Sequence, residues 1–280
     1  MNEQGTLYLV ATPIGNLEDW TQRAERILGE VDLIAAEDTR VTRRLLAAKG
    51  LNAQLTSYYE GADEKRSRKR ILDALQAGKN VALVSDAGSP GISDPGYPLV
   101  TEAIALGLRV VPVPGACAVI AALQIAGCPT DRFAFFGFLP RKGKGRENAL
   151  DRIESWAGTA VLYESPKRLA ETMADLAGRF PEKRGAVCRE MTKLYEEAVR
   201  GTMSELAAFY QDREVRGEVV IVADLSGEET ADESGALRKA MEVKLAFRLS
   251  DKDAAGIASA FMGVSKNRIY KGLIKEKELT

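Results

Sequence analysis

The chain contains no histidine among its 280 residues. Without an imidazole there can be no Ser-His-Asp triad, no Cys-His pair and no histidine-ligated zinc or haem. Acid–base chemistry must therefore use Asp, Glu, Lys, Tyr or bound water. The three cysteines are widely spaced and match no metal-ligand pattern, so we expect them to be reduced and expect no bound metal.

Long hydrophobic runs are also missing. No apolar stretch approaches the ~18–20 residues that a membrane-spanning helix needs, and the N-terminus has no basic region leading into an apolar core. We therefore expect a cytoplasmic protein with no membrane partner. The net charge is −1, so no global positive field draws the protein to nucleic acid, although local basic clusters exist.

Glycine and proline are concentrated in Ala82–Pro98, together with two aspartates, directly after a buried-strand pattern at Val81–Ser85. Glycine lets a ligand lie against the backbone, and proline fixes the loop in advance. The strand patterns Thr6–Ala11 and Arg109–Val113 also end in Pro/Gly-rich turns. If the three strands share a parallel sheet, their loops form one ligand crevice. For any single loop, a tight strand–helix connection without a ligand is the alternative.

Strand and helix patterns alternate through the first half, which predicts an α/β protein with a mostly parallel sheet. A second unit begins near Gly127, with later strand candidates at Arg184–Arg189, Thr192–Val199 and Gly217–Ala223. Short helical patterns end the chain. We predict an N-terminal α/β domain (1–118), a C-terminal α/β domain (119–226), an acidic linker (227–235) and a helical appendage (236–280).

A series of motifs follows in order from about Thr6 to Asp224. They are Thr12–Leu17, Ala36–Arg40, Ser85–Pro90 with Asp94–Tyr97, Val113–Gly115, Gly137–Pro140, Tyr163–Leu169 and Arg216–Glu218. Together they resemble the ribosomal RNA small subunit methyltransferase I family, a branch of the tetrapyrrole methylase superfamily. The C-terminal residues resemble the helix-turn-helix appendage of that family.

The resemblance implies a two-domain α/β fold with S-adenosylmethionine in the cleft between the domains, usually within a homodimer. It implies methyl transfer to the ribose 2′-hydroxyl of a cytidine in the decoding region of 16S rRNA. Because a near-neutral protein needs a pre-shaped substrate, we expect the assembled small ribosomal subunit rather than free RNA. Family members commonly carry a histidine where this chain has Lys167, so that histidine is not required if this chain is active. By position, the cofactor-binding candidates are Pro13, Ile14, Asp86, Gly88, Ser89, Cys117, Ala118, Glu164, Gly217 and Glu218.

A ribose hydroxyl is a poor nucleophile until its proton leaves. Glu37, Asp38 and Arg40 place two acids and a cation at the carboxyl end of a predicted strand. Our hypothesis is that Glu37 or Asp38 orients or deprotonates the hydroxyl, while Arg40 holds an adjacent phosphate. The alternative is a structural ion pair that caps the next helix.

RNA contacts are predicted from basic clusters and one tyrosine pair. Gly-Lys-Gly-Arg loops suit phosphate backbones, and the last two helical patterns have the spacing of a helix-turn-helix with a basic second helix. A helical hairpin packed on the body is the alternative for the latter. The tyrosine pair could stack on an extruded base, but a half-buried strand explains it equally well. The candidates are Tyr58, Tyr59, Arg141, Lys142, Lys144, Arg146, Lys266, Arg268 and Lys271.

Two other functions stay open. Another methylase of the superfamily could act on a porphyrinoid or a protein side chain, but the Ala36–Arg40 and Tyr163–Pro166 motifs and the basic tail argue against it. A non-catalytic nucleic-acid-binding module could have kept the fold. Against that reading, the segments Asp86–Pro90 and Gly217-Glu218 are intact.

Overall fold

The structure, a computed structural model, describes residues 4–59, 61, 64–94, 96–226 and 233–278. The chain divides into two compact units, residues 1–225 and residues 226–280. The domain boundary predicted after residue 118 stays a prediction. Of the predicted linker at 227–235, residues 227–232 lie outside the described residues. Within the described ranges, no helix is long and apolar enough to cross a bilayer.

The first sheet is wholly parallel and has the strand order β3-β2-β4-β1-β5. Every residue of β2 and β4 is buried, as expected for a parallel sheet covered on both faces. The parallel sheet predicted from the alternation is confirmed, and the loops after β1, β4 and β5 meet at one edge. The strands are β1 (Thr6–Val10), β2 (Leu33–Ala36), β3 (Leu55–Ser57), β4 (Val81–Val84) and β5 (Arg109–Val113).

Five helices follow these strands, and local signals fix where they begin. The Thr21 side chain accepts a hydrogen bond from the Ala24 N–H at the start of α1, and Asp38 does the same for Arg40 at the start of α2. Gly127, in the left-handed conformation, ends α5. The helices are α1 (Gln22–Glu30), α2 (Thr39–Ala48), α3 (Glu64–Gln76), α4 (Tyr97–Ala105) and α5 (Ala118–Ala126), with one 3₁₀ turn at Leu17–Asp19.

The second sheet is mixed, with the order β6-β7-β10-β8-β9. Strands β6 and β7 are parallel and the other pairs are antiparallel. Because β10 runs against β7, Val219 at the start of β10 lies beside Glu164 at the end of β7. The elements are β6 (Phe133–Phe138), α6 (Lys144–Glu154), β7 (Thr159–Glu164), α7 (Leu169–Arg179), β8 (Arg184–Arg189), β9 (Glu197–Thr202), α8 (Met203–Tyr210) and β10 (Val219–Asp224).

The strand predicted at Thr192–Val199 is wrong at its start, because β9 begins only at Glu197. Glu190 and Thr192 have φ values of 49° and 67°, which a strand does not allow. The N–H of Lys193 donates to the carbonyl of Glu190, so the backbone turns there. This turn lies beside the site described below.

The C-terminal unit contains three helices among the described residues: α9 (Glu233–Phe247), α10 (Asp251–Met262) and α11 (Lys266–Glu278). Ser250 caps α10, and Gly263, with φ 67°, ends it. The predicted helical C-terminal region is confirmed. Its core is built on small side chains that let helices approach closely, namely Ala236, Ala240, Ala254, Ala255 and Ala258 with Val264, Ile269 and Leu273.

Candidate active site

A cavity of about 480 Å³ lies between the carboxyl edge of the first sheet and the β7 end of the second. This volume is within the range of small-molecule sites. The loops after β1, β2, β4 and β5 contribute to its lining. The lining comprises Ile14, Glu37, Asp86–Ser89, Ile92–Asp94, Cys117 and Ala118 from the first half, and Phe138, Tyr163–Pro166 and Gly217–Val220 from the second.

Hydrogen bonds join the first-sheet loops to each other. Thr12 and Gly88 exchange backbone hydrogen bonds of 2.9 and 3.1 Å, and the Ser89 hydroxyl donates to the Ala116 carbonyl at 3.1 Å. The Asp86 carboxylate accepts from the Asp38 N–H at 3.0 Å, and the Asp86 N–H donates to the Glu37 carboxylate at 3.2 Å. The loops therefore form one preorganised wall that needs little ordering on binding.

Glu164, on the opposite wall, has a fully buried carboxylate. Its Oε1 accepts from the Ser165 N–H and pairs with Arg168, each at 2.6 Å, while its Oε2 accepts from the Thr172 hydroxyl at 2.6 Å. Since a buried carboxylate is tolerated only when it is paired and hydrogen-bonded, this arrangement fastens the end of β7 to α7.

Gly217 turns the chain into β10 with a φ of 86°. A Cβ placed on it would lie 2.3 Å from the carboxyl carbon of Glu190. Glu190 accepts from the Glu218 N–H at 3.0 Å, and Lys193 bridges Glu190 and Glu218 at 2.8 and 3.0 Å. The turn at Glu190 thus holds the Gly217-Glu218 backbone in place.

Among the residues that the structure describes, the lining contains five carboxylates and no lysine or arginine. Glu164 and Glu218 are bridged to cations, as described above. The other three, Glu37, Asp86 and Asp94, all come from the loops after β2 and β4. Burial, reinforced by the charges of Glu37 and Asp86, raises the pKa of Asp94 to about 6. Such a pocket favours a positively charged ligand.

The three predicted catalytic residues are separated by the structure. Glu37 lines the cavity, but Asp38 and Arg40 are not among its lining residues. The Arg40 guanidinium pairs with Asp38 at 2.6 Å. This pair, together with the hydrogen bond that Asp38 accepts from the backbone N–H of Arg40, lowers the pKa of Asp38 to about 2. A carboxylate this acidic is a weak base, so the helix-capping alternative describes Asp38 better.

The predicted cofactor residues come together. All of them line the cavity except Pro13, which is buried next to Ile14. The lining also includes Asp94, Phe138 and Tyr163, which sequence reasoning quoted within motifs but gave no role. The available signal for Asp94 was its place as the second carboxylate of the Gly/Pro-rich loop.

Two predicted RNA-binding residues are wrong. The Tyr58 ring is fully buried in the core of the first sheet, so it cannot stack on a base. Arg146 is buried in α6, where it pairs with Asp175 at 2.6 Å and donates to Thr172 at 2.9 Å. The other candidates are exposed, namely Tyr59, Arg141, Lys142, Lys144, Lys266, Arg268 and Lys271.

Comparisons with known proteins agree with this architecture. A family model described as Tetrapyrrole (Corrin/Porphyrin) Methylases matches residues 6–207. A protein of Halalkalibacterium halodurans named ribosomal RNA small subunit methyltransferase I is 43% identical over 274 residues, which cover 96% of this chain and 94% of the relative. A protein of the same name from Pseudomonas aeruginosa is 44% identical over 277 residues, 98% of each chain.

Solved structures share the fold at lower identity. Diphthine synthase superposes with a TM-score of 0.61 at 14% identity, covering 79% of this chain and 90% of that one. Uroporphyrin-III C-methyl transferase from Thermus thermophilus, complexed with S-adenyl homocysteine, superposes with a TM-score of 0.55 at 22% identity, covering 79% and 97%. Together with the family model over residues 6–207, these structures confirm the predicted tetrapyrrole-methylase-like α/β fold.

Proposed function

Since the chain belongs to the tetrapyrrole methylase family, in the branch of the ribosomal RNA small subunit methyltransferases I, we propose that it is a methyltransferase of RNA. It transfers a methyl group from S-adenosylmethionine to the RNA of the small ribosomal subunit. The extent of similarity carries the proposal. The family model ends at residue 207, whereas the rRNA methyltransferases match nearly the whole chain, including the C-terminal helices.

The cavity fits this cofactor by charge. S-adenosylmethionine supplies a methyl group bonded to a cationic sulfur, which makes the methyl carbon electrophilic. The carboxylate of Asp86 would hold its positive charge, and the backbone at Gly88, Ala118 and Gly217 would lie against it. Since the loop hydrogen bonds fix this wall in advance, binding energy is available to align the methyl group with its acceptor.

The finer proposal concerns the acceptor. We place the methyl group on the ribose 2′-hydroxyl of a cytidine in the decoding region of 16S rRNA, within the assembled subunit in the cytoplasm, with the enzyme acting as a homodimer. Exposed Arg141, Lys142 and Lys144, with Lys266, Arg268 and Lys271 on α11, would contact phosphates. A near-neutral protein has little general attraction for RNA, which favours a pre-shaped substrate.

Methylation of a porphyrinoid or a protein side chain is not favoured. The porphyrin methylase and diphthine synthase structures cover only 79% of this chain, while the rRNA methyltransferases cover 96–98% of it. A non-catalytic module is not favoured either, because the carboxylate-lined cavity between the two sheets is intact.

The test incubates the purified protein and radiolabelled S-adenosylmethionine with small ribosomal subunits from cells lacking the enzyme, then digests the RNA to nucleosides. We expect label in 2′-O-methylcytidine, and none with subunits from cells that contain the enzyme. Equal rates on free 16S rRNA would contradict the assembled subunit as substrate. Label on a base would contradict the ribose acceptor. Cofactor binding with no labelled RNA would contradict the proposed function.

A further inference from the structure

Asp94 occupies a distinct place in the cavity. It follows Ser93, a non-glycine residue with a φ of 66°, a strained conformation that is common at functional sites. The Ser93 hydroxyl lies 3.7 Å from the position of a Cβ on Gly137, so this loop lies against the bulge in β6. Asp94 lines the cavity together with Tyr163 of β7, which comes from the second sheet.

The other carboxylates of the lining have structural partners. Arg168 and Thr172 hold Glu164, and Lys193 holds Glu218. Asp86 and Glu37 accept hydrogen bonds from the backbone that joins the loops. In the part of the chain that the structure describes, no cation is bridged to Asp94, and its polar contact is the Ser85 hydroxyl. Its carboxylate is therefore available to a substrate.

We propose that Asp94 is the catalytic base that removes the proton of the ribose 2′-hydroxyl, an assignment that rests on the proposed function. The hydroxyl O–H bond breaks and its proton moves to the Asp94 carboxylate. The ribose oxygen forms a bond to the methyl carbon as the carbon–sulfur bond breaks, with that electron pair remaining on the now neutral sulfur. The proton then passes from Asp94 to water.

The surroundings of Asp94 suit this task. Efficient bases have pKa values near the working pH, and the pKa of Asp94 is raised to about 6, above that of an ordinary aspartate. The groups that set it are Glu37 after β2, together with Asp86 and Ser85 after β4. Tyr163 of β7 lines the same cavity from the second sheet, and burial, with a contribution from the charge of Asp94, raises its pKa. Asp94 is thus ionised at neutral pH and still basic enough to accept a proton.

The first test measures single-turnover methyl transfer to small subunits from pH 5 to 9 with wild-type enzyme, Asp94→Asn, Asp94→Glu and the exposed control Asp212→Asn. We expect the wild-type rate to rise through about pH 6. Asp94→Asn should lower the plateau by roughly 10²–10⁴-fold and abolish this inflection. Asp94→Glu should restore part of the rate, and Asp212→Asn should match wild type. Calorimetric affinity for S-adenosylmethionine should change little in all variants.

The second test needs no substrate. A carboxyl whose folded pKa is about 6 and whose unfolded pKa is 3.8 costs stability that appears as the pH rises from about 4 to about 6 and persists above it. Asp94→Asn should therefore raise the unfolding temperature at pH 8, and the difference should vanish near pH 4. No gain at pH 8 would contradict the half-buried, charge-crowded carboxylate that the assignment requires.

The outcomes separate the two proposals. A full rate in Asp94→Asn, or an unchanged pH inflection, overturns Asp94 as the base while leaving the rRNA methyltransferase function standing. Loss of cofactor affinity equal to the loss of rate assigns Asp94 to cofactor binding instead and also overturns it. Wild-type enzyme that binds S-adenosylmethionine but labels no rRNA overturns the proposed function, and the base assignment falls with it.

Discussion

The two walls of the cavity are built differently. On the first-sheet wall, Glu37, Asp86 and Asp94 lie together, and backbone hydrogen bonds join the loops that carry them. On the second-sheet wall, Glu164 and Glu218 are each bridged to a cation. The difference separates cavity carboxylates without a bridging cation from cavity carboxylates that ion pairs hold in place.

Sheet topology explains the contrast. In a parallel sheet every strand ends at the same edge, so β1, β2, β4 and β5 each deliver a loop to the cavity. In the mixed sheet the lining comes from the ends of β6 and β7 and the start of β10, while the end of β8 and the start of β9 lie at the same edge beside β10. With fewer loops to join, the second wall relies on side-chain ion pairs within β7–α7 and around the turn at Glu190.

Glu164→Ala should have the largest effect on stability. It leaves Arg168 and Thr172, which are both largely buried, without their shared partner. Breaking a buried pair costs roughly 3 kcal/mol, which corresponds to about 6–12 °C in unfolding temperature for a chain of this length. Thermal unfolding checks this against Glu171→Ala, an exposed change in α7, the helix that Glu164 contacts. An unchanged unfolding temperature with lost cofactor affinity would move Glu164 to the ligand-facing class.

Gly217→Ala should cause the next largest loss of stability, and it again acts on the second wall. A side chain at a φ of 86° costs about 1–2 kcal/mol, and the added Cβ would displace Glu190 from Lys193 and Glu218. Gly178→Ala in α7, where a Cβ meets open space, should instead stabilise by about 0.5–1 kcal/mol. Opposite shifts in unfolding temperature would support this prediction. Equal shifts would mean that Gly217 is not conformationally required.

Asp86→Asn should change ligand affinity more than stability, because the first wall faces the ligand. An asparagine oxygen can still accept from the Asp38 N–H, so the loops stay joined. Loss of the charge should lower the affinity for S-adenosylmethionine by roughly 5–30-fold, the equivalent of about 1–2 kcal/mol of binding free energy. S-adenosylhomocysteine lacks the sulfonium charge and should be affected less. Calorimetry with Asp212→Asn as control measures both. Equal weakening of the two ligands would place Asp86 away from the sulfur.

The sequence predicts the first wall better than the second. A parallel sheet brings the residues after its strands to one edge, so Ile14, Asp86 and Cys117 could be grouped from strand patterns and loop composition alone. The raised pKa of Asp94 could not be anticipated, because it depends on charges that lie far away in the sequence.

The burial of single side chains could not be predicted from the sequence either, because it also depends on contacts between distant elements. Tyr58 follows a three-residue strand, where one position decides between core and solvent. Arg146 is buried because α6 begins at Lys144 and places it against Asp175 of α7. Both corrections involve contacts between elements, which neither periodicity nor composition encodes.

Asp38→Asn should have the smallest effect on stability and on the rate of methyl transfer. Its comparison with Asp94→Asn tests which carboxylate of the first wall is the catalytic base. Asparagine caps a helix as well as aspartate does, and the lost pair with Arg40 is exposed, so stability at neutral pH should hardly change. Because the folded pKa of Asp38 is about 2, its stabilising contribution is present above about pH 4 and disappears as the pH falls through 2, a dependence that the variant should lack. Single-turnover methyl transfer should stay near the wild-type rate, beside a large loss in Asp94→Asn. A stable Asp38→Asn enzyme without activity would reverse this order, since the base would then be the strongly acidic carboxylate at the start of α2 rather than the half-buried carboxylate of Asp94.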